Sequence, residues 1–169
     1  MKLELKHKIR PVVLISSISI PLLTGILSAY LTSEDIKAYE TMNHPPLSPP
    51  AWLFPIAWTI LYILMGTASY IVYTSEADQS KKRKALLFYT AQLVMNFYWC
   101  TLFFTYSQYL ISLIWIAAMW VLVLICGLRF FRIRRSASLM MGILLLWTTF
   151  ATYLNLATYI MSITPMPIK

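Results

Sequence analysis

Charge is scarce in this chain. Only 12% of its residues are Asp, Glu, Lys or Arg, where a soluble domain carries about 25%. None of these four occurs between Pro11 and Ser33, Thr41 and Ser75, Ala85 and Leu128, or Ser136 and Ile168. Ion-coupled carriers and proton pumps hold ionisable groups inside the membrane, so these long uncharged runs argue against that class. They also lack the usual acid–base and nucleophilic groups of a conventional enzyme. Cysteine is sparse too: Cys100 and Cys126 both lie inside apolar runs, with no CxxC pair. Histidine is limited to His7 and His44, far apart in the chain. No disulfide, zinc site or haem-ligating pair is expected from such a set. No resident cofactor is expected either. Acidic residues number six against fourteen Lys and Arg, giving a net charge of +8. That excess invites a nucleic-acid reading, but twelve of the fourteen cations sit in three short clusters beside apolar runs, as topology signals do.

What is abundant is apolar surface, 59% of residues. A membrane-spanning helix needs about 20 apolar residues, and the uncharged runs hold five of them. The expected spans are about 12–31, 52–74, 85–105, 109–128 and 139–162. The third and fourth share one run, so a tight turn at Thr105-Tyr106-Ser107-Gln108 must join them. The basic start resembles the n-region of a signal peptide, but the apolar stretch after it has the length of a spanning helix. The fold class is therefore an all-α membrane protein, a five-transmembrane-helix bundle forming one domain over residues 1–169. Lys2, Lys6, Lys8 and Arg10, then Lys81, Lys82, Arg83 and Lys84, then Arg129, Arg132, Arg134 and Arg135 fall on one side; Lys37 and Lys169 fall on the other. The positive-inside rule puts the N-terminus in the cytoplasm; the expected location is a bacterial plasma membrane, as a multi-pass protein.

Prolines punctuate this plan. Pro21 sits mid-span and frees the carbonyl of Ser17. Pro45, Pro46, Pro49 and Pro50 stiffen the first connection, and Pro55 falls in the first turn of the second span, where a missing N–H costs little. Pro165 and Pro167 are expected to end the fifth helix. The first connection, about 20 residues, is the one long loop. It is either a lid or a plain connector.

The polar chemistry inside the spans is aromatic and amide. There are six Trp and eleven Tyr. Any one of them fits an interfacial belt, but several recur at helical spacing near mid-membrane. Trp58, Tyr62, Met65 and Ser69 share a face of the second span; Gln92, Asn96 and Trp99 share one on the third; Trp147, Ala151, Leu154 and Asn155 share one on the fifth. Amides in hydrocarbon must find partners, so Gln92, Asn96 and Asn155 face the bundle interior. They are either interhelical fasteners or polar anchors in an aromatic-walled cavity, the usual composition of a small-molecule site. Gly66, Ala68 and Ala151 beside them either leave room for a ligand or permit close helix packing.

The stretch Asn43-His44-Pro45-Pro46-Leu47-Ser48-Pro49-Pro50-Ala51-Trp52, followed by Trp58 through Tyr70, resembles the TspO/MBR family, also called the translocator protein, peripheral benzodiazepine receptor or tryptophan-rich sensory protein. Gln92-Leu93-Val94-Met95-Asn96-Phe97-Tyr98-Trp99 with Phe103-Phe104 is similar to that family's third-helix motif. Leu146 through Asn155 is similar to its fifth-helix motif. The resemblance covers nearly the whole chain in matching order. It implies a five-helix bundle whose ligand cavity is closed by the first loop. It implies ligands such as protoporphyrin IX and haem, sterols in some members, and synthetic benzodiazepines and isoquinoline carboxamides, with a homodimer as the assembly. Carried over by position, the ligand-binding residues are Pro45 and Pro46 in the lid, Trp58 and Tyr62, Asn96 and Trp99, and Trp147, Ala151 and Leu154.

Departures narrow the reading. Ile143-Leu144 stands where a Pro-Tyr pair is common, Tyr159 where a late Trp is, His44 where a Lys is, and Trp115 where animal members carry an acid. After Asn155, Tyr159 has no basic residue until Lys169. The weak cholesterol pattern is thus absent, which argues against a sterol. The expected function is a membrane receptor or sensor binding a planar lipophilic ligand, a porphyrin first of all. A tetrapyrrole carrier, light-dependent porphyrin degradation by paired Trp58 and Trp147, and a scaffold with an incidental cavity are the competing readings.

Overall fold

The computed structural model describes residues 9–40 and 44–164. Five of its helices are long and apolar enough to cross a membrane. They are α1 (Pro11–Leu31), α3 (Leu53–Tyr73), α4 (Gln79–Cys100, continued by a π-helical turn at Thr101–Thr105), α5 (Tyr109–Phe131) and α6 (Arg135–Ile163). A short helix, α2 (Ser33–Glu40), follows α1. Around the bundle the helices pack in the order α1, α3, α6, α5, α4, and α4 closes back on α1.

The spanning helices differ from expectation at their ends. The third begins at Gln79 rather than near 85, the fourth runs to Phe131 rather than 128, and the fifth begins at Arg135 rather than 139. Lys and Arg are good helix formers, and water satisfies a helix that emerges from lipid. The basic clusters therefore lie on helical ends and not wholly in connections. Lys82 Nζ donates to the carbonyls of Tyr73 (3.3 Å) and Ser75 (3.0 Å), closing the C-terminus of α3, where cations are favoured. The first connection is also not wholly loop. Ser33-Glu34-Asp35 places acids in the first turn of α2 and Lys37 in its last, a helix-start signal that the loop assignment overlooked. Pro165 and Pro167 lie outside the described residues.

The clusters converge at one end. Arg10, Lys82 and Arg134 line a cleft of about 1220 Å³. Lys81, Lys84, Arg129 and Arg132 line a second of about 540 Å³. At the other end, Asp35 of α2 accepts a hydrogen bond from Thr105 Oγ1 at 2.6 Å, pinning the first connection to the π turn.

The core lies between α3, α4, α5 and α6, where Met65, Gln92, Ile116, Met119, Met141, Leu144, Thr148 and Asn155 are fully buried. Helix α1 is peripheral: 11% of its apolar window is buried, against 39% for α3. What holds α1 is backbone approach through glycine. A Cβ on Gly66 would stand 2.5 Å from Ile18 Cα and 2.6 Å from the Ser17 carbonyl oxygen. That oxygen is the one Pro21 deprives of its helical donor, so α1 brings this carbonyl against the one glycine of α3. Gly25 likewise seats the Tyr62 ring. Ser28 Oγ adds a hydrogen bond to the Phe97 carbonyl of α4 at 3.0 Å. Gly66 thus serves close packing; between the two uses left open for it by the sequence, the backbone contact decides.

Two outcomes are expected. With Cys100 and Cys126 replaced, single cysteines at Glu34 and Gln79 will report orientation in intact cells: an impermeant thiol reagent will label the first and not the second, and the reverse pattern overturns the topology. Gly66→Ala will push a methyl into the α1 backbone and lower the detergent melting temperature, at an overpacking cost of about 1–3 kcal/mol. Gly142→Ala, where an added Cβ meets nothing within 4 Å, will not.

Candidate ligand site

In the half of the bundle away from the basic clusters, α3, α4 and α6 bring most of the predicted stripe together. Trp58 stacks on Tyr62 one turn below it, with ring centroids 5.5 Å apart and planes at 29°. Trp58 also meets Trp147 of α6 edge-on, at 6.3 Å and 84°. Phe54 and Phe150 extend the cluster, at 6.2 Å and 5.9 Å from Trp147. Ala151 and Leu154, one and two turns further along α6, are buried. These rings touch one another, so a flat ligand entering here must part Trp58 from Trp147.

Beneath the rings lies a hydrogen-bonded layer. Tyr62 donates its hydroxyl proton to Asn96 Oδ1 at 2.7 Å, joining α3 to α4. Trp99 Nε1 donates to Asn155 Oδ1 at 3.2 Å, joining α4 to α6. Asn155 Nδ2 donates to the Tyr109 carbonyl at 3.0 Å, reaching α5. Asn96 and Asn155 therefore act as fasteners between four helices. Gln92, fully buried, has neither amide atom hydrogen-bonded among the described residues.

Trp99 is placed differently from Trp58 and Trp147. It stacks on Phe103 at 5.2 Å and meets Phe104 edge-on at 6.1 Å. The π turn at 101–105 delivers those two phenylalanines. Such turns are common at functional sites, and this one aims consecutive aromatics at one indole.

The first connection is tied to α6. Pro45 is buried. The Pro46 carbonyl accepts a hydrogen bond from Tyr153 of α6 at 3.1 Å, and Leu47 holds a left-handed φ of 64°. Tyr153 escaped the stripe analysis because it lies off the buried face of α6; its signal was only a tyrosine at the depth of the loop. Phe54, one turn before Trp58 on the same face of α3, and Phe150, next to Ala151 in the chain, were equally missed. Trp115, noted as a departure, donates its indole proton to the Met95 carbonyl at 2.8 Å. It ties α5 to α4 outside the ring cluster.

One polar atom of the cluster stands out. The indole N–H of Trp147 is buried and has no acceptor among the described residues. An unmade hydrogen bond at a buried donor is costly, and a ligand carbonyl or carboxylate would supply the acceptor.

The sequence matches the family model described as "TspO/MBR family" over residues 17–161. It is 36% identical over 117 residues to the tryptophan-rich protein TspO of Chlorobaculum tepidum, covering 69% of this chain and 74% of that one. The tryptophan-rich sensory protein of Cereibacter sphaeroides is 37% identical over 117 residues, 69% of this chain and 72% of its own. The tryptophan-rich protein TspO of Archaeoglobus fulgidus is 33% identical over 150 residues, 88% and 96% of the two chains.

The polar layer makes a stability prediction. Asn96→Ala will strand the Tyr62 hydroxyl and Tyr62→Phe will strand the Asn96 carbonyl. Each will cost about 0.6–1.7 kcal/mol, the range of interhelical hydrogen bonds in membranes. The double variant will cost less than the sum of the two. Thermal unfolding in detergent reads all three, and strict additivity would mean the bond contributes nothing.

Proposed function

The chain belongs to the TspO/MBR family, and we propose that it acts as a membrane receptor or sensor that binds a planar lipophilic ligand, of the porphyrin class, between Trp58 and Trp147. It is a multi-pass integral membrane protein, and the bilayer is its solvent. Under this reading Trp58, Tyr62, Trp147, Ala151 and Leu154 line the bound ring system. Pro45 and Pro46 close over it. Asn96 and Trp99 hold the helices at the spacing the site needs. Protoporphyrin IX or haem enters as ligand and not as a cofactor that the fold requires. Aromatic benzodiazepines and isoquinoline carboxamides are flat and apolar enough to compete.

The observation that carries the reading is the unpartnered indole N–H of Trp147 beside the Trp58 ring. A porphyrin meets both features: a wide π-face for the rings and peripheral carboxylates for the N–H. The anchored lid adds support. The hydrogen bond from Tyr153 to Pro46 gives the loop a closed position, and its prolines lower the entropy lost on closing. The sensory name of the Cereibacter relative agrees with a receptor. A second reading, light-dependent degradation of the bound porphyrin, draws on the edge contact of Trp58 with Trp147, which sets two oxidisable indoles side by side.

Protoporphyrin added to purified protein in the dark will quench tryptophan fluorescence. Trp147→Phe, which keeps a ring but removes the N–H, will weaken binding less than Trp147→Ala does. Trp147→Ala will weaken it at least tenfold, through lost stacking of about 1 kcal/mol and lost buried area. Trp120, which donates to Thr149 at 2.7 Å on another part of the α5–α6 seam, serves as the control; Trp120→Phe will bind as wild type does. Equal affinity for wild type and Trp147→Ala, with helicity intact by circular dichroism, removes the site. Loss of the porphyrin absorption band under light alone assigns the second reading.

A further inference from the structure

The cleft of about 540 Å³ at the basic end is independent of the aromatic site. Its walls are the start of α4, with Ser80, Lys81 and Lys84, and the end of α5, with Arg129, Arg132 and Ile133; Asp78 stands at its edge. Four cations thus face one carboxylate. That carboxylate is already engaged, since Asp78 Oδ2 holds Lys81 Nζ at 3.1 Å. Lys84, Arg129 and Arg132 have no carboxylate partner among the described residues.

Arg129 is the most informative of the three. It is half-buried, and its guanidinium lies over the Phe88 ring of α4, 4.7 Å from the centroid. The contact fixes its position across the α4–α5 seam. Its Nε is buried and has no hydrogen-bond acceptor among the described residues. A positioned guanidinium with an unused N–H and two free neighbouring cations is a recognition site for a phosphate group.

The surroundings say how a phosphate would arrive. Helical spacing puts exposed Leu87 one turn below Lys84, and exposed Leu128 one turn below Arg132. Directly under the cations, then, both helices turn apolar side chains outward into the bilayer. We propose that this cleft binds a phosphate monoanion at the membrane surface, with the headgroup of an anionic phospholipid as one source and soluble phosphate as the other. The lipid would set its phosphate among Lys84, Arg129 and Arg132, and lay its acyl chains along Leu87 and Leu128.

The test uses the full chain in nanodiscs of phosphatidylcholine alone, or with phosphatidylglycerol, and native mass spectrometry of protein released from each. The comparison is between wild type, Lys84→Gln/Arg132→Gln, Arg129→Gln, and Arg83→Gln/Arg134→Gln. The last pair removes two cations of the same clusters that do not line this cleft. Wild type is expected to retain phosphatidylglycerol over phosphatidylcholine and to melt higher when it is present. Removal of Lys84 and Arg132 is expected to cut retention on the order of 20-fold, as loss of two lipid-facing cations predicts, while the control pair changes it little. Both side chains are exposed, so this variant tests the site even if Arg129→Gln unfolds. Inorganic phosphate that raises the melting temperature of wild type but not of the cleft variant, without phosphatidylglycerol retention, assigns the site to the soluble anion. Equal retention by cleft and control variants, with no phosphate effect, overturns the proposal.

Discussion

Hydrocarbon offers no hydrogen bonds, and most of this structure follows from that single fact. Each polar group within the spans must find its partner in the protein. The lipid-facing hydroxyls do so within their own helix: Ser16, Thr24, Thr59, Thr67 and Thr90 each donate to the carbonyl four residues earlier. The buried groups do so between helices. Tyr62 with Asn96, and Trp99 with Asn155 and the Tyr109 carbonyl, lace α3, α4, α5 and α6 together at one depth. Helix α1 is held by glycine-mediated backbone contact and by Ser28.

Against this thrift the exceptions are informative. Gln92, the Tyr89 hydroxyl and the Trp147 indole nitrogen are buried and unpaired among the described residues. A chain that satisfies nearly every hydroxyl within its spans keeps such donors where something else arrives to use them, or accepts the cost. For Trp147 the neighbouring rings and the proline loop argue for an arriving ligand.

The sequence announced its spans through the absence of charge, and their number and order follow from it directly. It announced the aromatic stripes because a period of 3.6 is visible wherever apolar and polar residues alternate on one helix. It did not announce where helices end. Lys81 to Lys84 and Arg135 mark the edge of lipid, yet the helices continue through them, because charge punctuates solvent and not backbone. Nor did it announce the π turn at Thr101–Thr105, whose one extra residue per turn has no compositional signature. The tether from Tyr153 to Pro46 was hidden for a different reason: it joins residues 107 positions apart, and no periodicity reaches that far.

Helix α6 contacts both α3 and α5 and carries Trp147, Ala151, Tyr153, Leu154 and Asn155. It also follows the other four spanning helices in chain order. Until it leaves the ribosome, Trp99 and the Tyr109 carbonyl lack their common partner, and the proline loop has nothing to fasten to. The aromatic site therefore has no partial form during biogenesis. It comes into being only once α6 has joined the other helices, so a copy that stops short of α6 leaves the Trp99 indole and the Tyr109 carbonyl without Asn155.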